Sequence, residues 1–259
     1  MRNKFTRVKT AKRRNKSSMA WLKRQINDPF VKQAQEQGYR ARSAFKIIEI
    51  DDKFKILKKG KIVVDLGAAP GGWSQVVVEK VGRGKVFAVD ILPMEAIVGV
   101  EFLQQDFLAP DAATNIIGLI NQNQILREDI ANNARGICPA PFGGEPHNKT
   151  EPDISPKSFC YRKCDVVLSD MAENTCGDAQ TDHMRIVGLL EEALDFACQI
   201  LAKDGVFVGK IFQGGAGGEL LKRFKEHFTA VKHFKPNSSR KESAENYIVA
   251  IGFKSLLAN

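Results

Sequence analysis

The strongest constraint on this chain is a rhythm. Short apolar runs, several ending in glycine or aspartate, alternate with stretches of helical periodicity. Lys61-Ile62-Val63-Val64-Asp65-Leu66 stops at Gly67, and residues 86–90, 100–104, 165–170 and 205–212 repeat the form. Between and after them the pattern predicts helices over about 72–81, 111–120, 182–202 and 217–227, with residues 230–234 and 247–253 as a closing strand pair. Runs that are apolar throughout are strands buried on both faces. Strands alternating with helices make an open, mostly parallel α/β sheet joined by right-handed crossovers. Such sheets bind ligands beyond the carboxyl ends of their strands, where strand order reverses. Residues at the strand tips are therefore the candidates for chemistry.

Two helices are expected before the alternation begins, over 18–36 and 42–58, the second stopped by Gly60. This end also carries the charge. The net charge is +9, yet residues 1–60 hold 18 Lys/Arg against 5 Asp/Glu, and the remainder holds 21 against 25. That asymmetry points to a polyanionic partner, nucleic acid before membrane. The chain has no run of 18 apolar residues, so no membrane-spanning helix is expected. Met19-Ala20-Trp21-Leu22 is too short for a signal-peptide core, and a cytoplasmic protein follows. The organisation read is a basic arm and helix over 1–37, then one domain over 38–259, interrupted at about 121–163 by an insertion poor in apolar residues. The cysteines, Cys138, Cys160, Cys164, Cys176 and Cys198, read as free thiols. Cys138, His147, Cys160 and Cys164 lack a paired C-x-x-C, so no metal site is assigned.

The first strand runs into Gly67-Ala68-Ala69-Pro70-Gly71-Gly72-Trp73-Ser74. Glycines there permit a tight turn and close approach of a ligand to the backbone. The spacing is not G-x-G-x-x-G, because Ala69 holds the second glycine position, and this argues against a dinucleotide pyrophosphate and a nicotinamide-dependent dehydrogenase. Asp90 ends the second strand and suits two ribose hydroxyls; Asp106 follows the third and suits an adenine amino group. Together these suggest an adenosine-bearing ligand without a pyrophosphate, and S-adenosylmethionine meets that description.

With these residues in view the sequence resembles the bacterial FtsJ-type heat-shock methyltransferases, which modify a uridine 2′-O in large-subunit ribosomal RNA. The resemblance covers about 38–120 and 164–254. It rests on Asp65 to Gln75, Asp90-Ile91-Leu92-Pro93-Met94, Ser169-Asp170-Met171-Ala172 and Lys235-Pro236-Asn237-Ser238-Ser239-Arg240. It implies a Rossmann-like methyltransferase fold of seven mostly parallel strands with an antiparallel strand at one edge. It also implies a catalytic tetrad of Lys46, Asp170, Lys210 and Glu245, and cofactor contacts at Gly71, Trp73, Asp90, Asp106 and Asp170. The implied partner is ribosomal RNA on the large subunit, approached by a monomer. Transfer RNA is an alternative substrate, and an RNA-binding assembly factor with incidental methylation an alternative role. The sequence departs from the family at Glu173, where proline is usual, and in the length of 121–163.

The tetrad suits the reaction. Methyl transfer from a sulfonium has a good leaving group and a weak nucleophile, since a ribose hydroxyl is barely ionised at neutral pH. A positioned base contributes about 10²–10⁴-fold, and alignment of the oxygen adds a comparable factor. Lys210 is assigned as proton acceptor, with Lys46 positioning ribose and phosphate, Asp170 holding Lys210 near the methyl, and Glu245 orienting the lysines or the hydroxyl. A charged Lys210 stabilising the developing alkoxide is the alternative. Phosphate contacts are expected from the basic end, including Arg40, Arg42, Lys53, Lys55, Lys58 and Lys59, with Arg240 and Lys241 extending the patch.

Overall fold

In the computed structural model, residues 22–23, 25–121, 164–172, 177–212, 217–240 and 242–254 are described. Seven strands form one sheet in the order β3-β2-β1-β4-β5-β7-β6. These are β1 (Ile62–Leu66), β2 (Lys85–Asp90), β3 (Val100–Gln104), β4 (Cys164–Ser169), β5 (Leu201–Phe212), β6 (Phe228–Phe234) and β7 (Glu245–Phe253). The helices are α1 (Pro29–Glu36), α2 (Ala44–Phe54), α3 (Gly72–Val81), α4 (112–121), α5 (Ala179–Ile200) and α6 (Gly218–His227). Pairs among β1 to β5 are parallel, whereas β7 is antiparallel to both β5 and β6. The antiparallel strand thus belongs to the expected edge and sits one position in from it. β1 leads outward to β2 and β3, and β4 leads the other way to β5. The tips of β1 and β4 therefore form the switch point at which ligands bind.

Each face of the sheet carries its own core. On one, α2 and α3 pack Ile47, Ile50, Trp73 and Val77 against Val63, Val86, Val166 and Val208. On the other, α4, α5 and α6 pack Ile116, Leu190, Leu194 and Phe224 against Val64, Phe87, Val167 and Phe207. Burial of each of these side chains contributes about 1.5–3 kcal/mol. All five residues of β1 are buried, Asp65 among them, as a central strand covered on both faces requires.

Three boundaries differ from expectation for identifiable reasons. The helix predicted over 18–36 is divided at Asp28-Pro29: the Asp28 carboxylate accepts the Phe30 N–H as N-cap, and proline takes the first turn of α1. α2 ends at Phe54, not near 58, with Lys55 left-handed at φ 53°. There the Asp51 carboxylate accepts the Leu57 N–H at 2.8 Å while Ile56 and Leu57 turn into the core. Core burial overrides helical periodicity at that point. β5 begins four residues early, at Leu201, because Asp204 adopts φ 63° and lets residues before the turn pair with Cys164. Residues 1–17 and the 121–163 insertion, except the end of α4, lie outside the described residues. No described helix is long and apolar enough to cross a membrane.

Candidate active site

At the switch point a cavity of about 590 Å³ is lined by Gly67, Ala69, Asp90, Asp106, Asp170 and Met171, with apolar walls from Val89, Ile91, Leu92, Phe107 and Leu108. Asp90 ends β2, and its carboxylate is fixed by two backbone donors, Ala69 N–H and Leu92 N–H, both at 2.8 Å. Each carboxylate oxygen has two lone pairs, so both can still accept from a ribose diol. Asp106 follows β3 and accepts the Leu108 N–H at 2.9 Å. Gly67, at φ +74°, needs to be glycine twice over: a Cβ there would lie 2.7 Å from the Met171 side chain. An apolar slot with carboxylates at its polar positions and bare backbone at its floor fits an adenosine that bears no phosphate.

Gly71 and Trp73 occupy different places from the cavity wall. Gly71 caps α3 at φ +105° and packs under Met94, Ile97 and Arg40. Trp73 is 3% exposed, donates its indole N–H to the Ser43 carbonyl at 2.9 Å, and stands 5.7 Å from the Tyr247 ring. Both shape the loop and the wall behind the site.

The structure brings Lys46, Asp170, Lys210 and Glu245 together from four elements. Lys46 lies in the first turn of α2, Asp170 just past β4, Lys210 within β5 and Glu245 at the start of β7. Lys210 Nζ lies 2.7 Å from Asp170 Oδ1 and donates to the Asp170 carbonyl at 2.8 Å. Lys46 Nζ lies 2.7 Å from Glu245 Oε2 and 3.7 Å from Asp170 Oδ2. All four side chains are 16% exposed or less. Two cations alternate with two anions, so the set is neutral in total and each charge is paired, as burial demands. Burial alone would push the Asp170 carboxyl up, but Lys210 and Lys46 outweigh it and hold the group below the usual carboxylate range.

Tyr247 completes the arrangement and was missed from the sequence. Its hydroxyl donates to Asp170 Oδ1 at 2.7 Å, and it stands opposite Lys210 in the β5–β7 ladder. Burial, then the charges of Asp170 and Glu245, raise its pKa well above that of free tyrosine, which keeps it a neutral donor. The signal was available: Glu245 and Tyr247 are two apart on a strand and so share a face. Ser239, which donates to Glu245 Oε1 at 2.7 Å, was also missed as a member of the network.

A second cleft, of about 360 Å³, is lined by Arg42, Ser43, Lys46, Ser239, Arg240 and Glu245, among others. Asp170 thus faces the first cavity, Lys46 and Glu245 face the second, and the Lys46–Asp170 pair joins them. Of the cations expected to contact phosphate, Lys53, Lys55, Lys58 and Lys59 are exposed. Arg40 instead turns inward, onto the carbonyls of Pro70, Glu95 and Ala96. Arg42 pairs with Asp28 and the Ser238 carbonyl. Lys241 lies outside the described residues. So do Cys138, His147 and Cys160, while the Cys164 thiol is buried against the Ile62 and Val166 carbonyls.

Residues 39–253 match the FtsJ-like methyltransferase family. The chain is 48% identical over 251 residues to the ribosomal RNA large subunit methyltransferase E of Sphingopyxis alaskensis, covering 96% of this chain and 90% of that one. It is 46% identical over 253 residues to the protein of the same name from Novosphingobium aromaticivorans, covering 98% and 96%. Among solved structures, a chain from Plasmodium falciparum assigned as a ribosomal RNA methyltransferase superposes with a TM-score of 0.61 at 25% identity, over 83% of this chain and 98% of that one.

Proposed function

The chain belongs to the FtsJ-like methyltransferase family, and from that premise we propose that it methylates the 2′-hydroxyl of a uridine ribose in 23S ribosomal RNA, acting as a cytoplasmic monomer on the assembled large subunit. S-adenosylmethionine, when bound, supplies the methyl group on a sulfonium sulfur. The observation that carries the reading is the meeting of two clefts at one buried tetrad. One cleft suits the adenosine-bearing donor, and the other is open to an acceptor nucleotide on the side of Lys46 and Glu245. The exposed lysines at and beyond the end of α2 offer phosphate contacts to the RNA, as do the eight Lys/Arg of residues 1–17.

In this reading Asp90 and Asp106 hold the ribose and adenine of the donor. Asp170, clamped by Lys210, Lys46 and Tyr247, fixes the β4 tip where donor and acceptor meet. Lys46 and Glu245 orient the acceptor ribose. Lys210 acts on the hydroxyl proton, as the acceptor of that proton. A second reading is favoured by the two oxygens of Asp170 around Lys210 Nζ, which suit an ammonium: the charged lysine then stabilises the developing alkoxide. Lys210→Arg separates them, because arginine keeps the charge and cannot serve as a base. Near-normal activity in that variant excludes the base role.

The product tests the function itself. A ribose 2′-O-methyl blocks alkaline cleavage of the adjoining phosphodiester. After incubation of unmodified large subunits with enzyme and cofactor, one alkali-resistant step at a uridine is expected in the 23S RNA. A methyl found on a base, or an RNA left fully alkali-labile, overturns the reading.

A further inference from the structure

Glu49 has no place in the tetrad, yet it holds a segment nearly 190 positions away. Its carboxylate accepts two consecutive backbone N–H groups, those of Asn237 and Ser238, the latter at 2.8 Å. The carbonyl of Ser238 accepts from the Arg42 guanidinium. One peptide segment is thus gripped at its N–H side by Glu49 and at its carbonyl by Arg42. Glu49 lies one turn beyond Lys46 on α2, and Arg42 lies in the turn just before that helix, so the grip flanks Lys46 from both sides along the chain. The gripped segment in turn supplies Ser239, whose hydroxyl donates to Glu245 Oε1, while Glu245 Oε2 pairs with Lys46. The loop is closed by the Ser239 N–H on the Pro236 carbonyl, the Ser243 N–H on the Arg240 carbonyl, and Lys235 on the Ser243 carbonyl. A closed circuit results: α2, loop, Ser239, Glu245, Lys46, and back to α2.

We infer that Glu49 is a positioning residue for methyl transfer, acting through the 237–239 segment and Ser239 to set the carboxylate of Glu245 against Lys46. The inference rests on the proposed role of Glu245 in transfer. A carboxylate taking two backbone N–H groups is a charge-assisted anchor, and without it the segment keeps only the Arg42 contact and the loop's own hydrogen bonds. A side chain displaced by about 1 Å costs a transfer reaction on the order of 10²-fold. An ordinary stabilising contact on α2 would lower stability and leave turnover of the folded fraction unchanged.

A double-mutant cycle on turnover distinguishes the two. Glu49→Gln, Ser239→Ala and the double variant are assayed at saturating cofactor and subunits, with the folded fraction measured by thermal melting. Glu49→Asp, too short to reach both N–H groups, runs beside Glu49→Gln, and the cycle is read on the pair that folds. Each single variant is expected to lower kcat by about tenfold, with KM for S-adenosylmethionine within about twofold of the parent, and the double variant to fall no further than about twentyfold, because both act along one path. Independent effects multiplying to about a hundredfold, or a Glu49 variant with unchanged kcat, overturn the inference. Failure of the underlying reading looks different: the parent enzyme transfers no methyl to the RNA, or Glu245→Ala turns over normally.

Discussion

Replacing Asp65 with asparagine should stabilise the protein above neutral pH and hardly affect it in acid. Asp65 is fully buried in β1; Ser74 donates to one carboxylate oxygen at 2.6 Å, and the other oxygen has no partner. Burial raises the carboxyl from 3.8 to about 7; Ser74 opposes this, and Asp170 and Asp90 add to it. In the unfolded chain the group releases its proton near pH ~4. Between that pH and about 7 the native state therefore binds more protons than the unfolded state, and stability falls as pH rises through this window. Above about pH 7 the full deficit applies, on the order of 4 kcal/mol. Asparagine imitates the protonated acid, retains an acceptor for Ser74 and never ionises. Urea unfolding of both proteins at pH 4.5 and pH 8 measures the effect, with other titrating groups cancelling in the comparison. The variant should match the parent within about 1 kcal/mol at pH 4.5 and exceed it by up to about 4 kcal/mol at pH 8. An equal gap at both pH values, or a variant less stable at pH 8, refutes the assignment of Asp65 as a buried acid with a raised pKa.

Three further outcomes are expected. Lys210→Arg should retain cofactor affinity; if Lys210 takes the ribose proton, transfer falls by about 10²–10⁴-fold at every pH, measured as a pH–rate profile. The Cys164 thiol, pushed up to about 12 by burial, should react with a thiol reagent at pH 8 only as fast as the protein unfolds; fast labelling of native protein at that residue contradicts its placement. Deleting residues 1–17 should flatten the salt dependence of RNA affinity, by about 0.7–0.9 in slope for each phosphate that the arm neutralises. An unchanged slope removes the arm from the interface.

The sheet was legible because its central strands are mostly apolar runs that stop at glycine or aspartate. β1, β3 and α3 fall where their residues predict, and the tips of β1, β2 and β4 carry Gly67, Asp90 and Asp170 as the switch-point rule requires. Insertion of β7 between β5 and β6 was not readable, since pairing order at an edge depends on partners rather than on either strand's own pattern. The tetrad residues were found through motif resemblance, and their pairing pattern was not: nothing in the sequence says that Glu245 takes Lys46 while Asp170 takes Lys210. Trp73 looks like a ligand contact in the linear sequence because it follows the glycine loop. In space it lies in the first turn of α3, buried, with its ring 5.7 Å from that of Tyr247. Arg40 and Arg42 show the same limit. A basic residue near a site reads as a phosphate contact until backbone carbonyls and Asp28 are seen to occupy it.

The reaction to test is methyl transfer to a ribose of the large subunit through Lys210 and its buried partners. The most direct test offers cofactor with a labelled methyl group, and either the parent enzyme or Lys210→Ala, to unmodified large subunits, naked ribosomal RNA and transfer RNA. Label is expected at a single ribose of the subunit RNA with the parent enzyme, and is expected to be lost in the variant despite retained cofactor binding. Label that favours transfer RNA, or that persists in Lys210→Ala at the parent's rate, contradicts it.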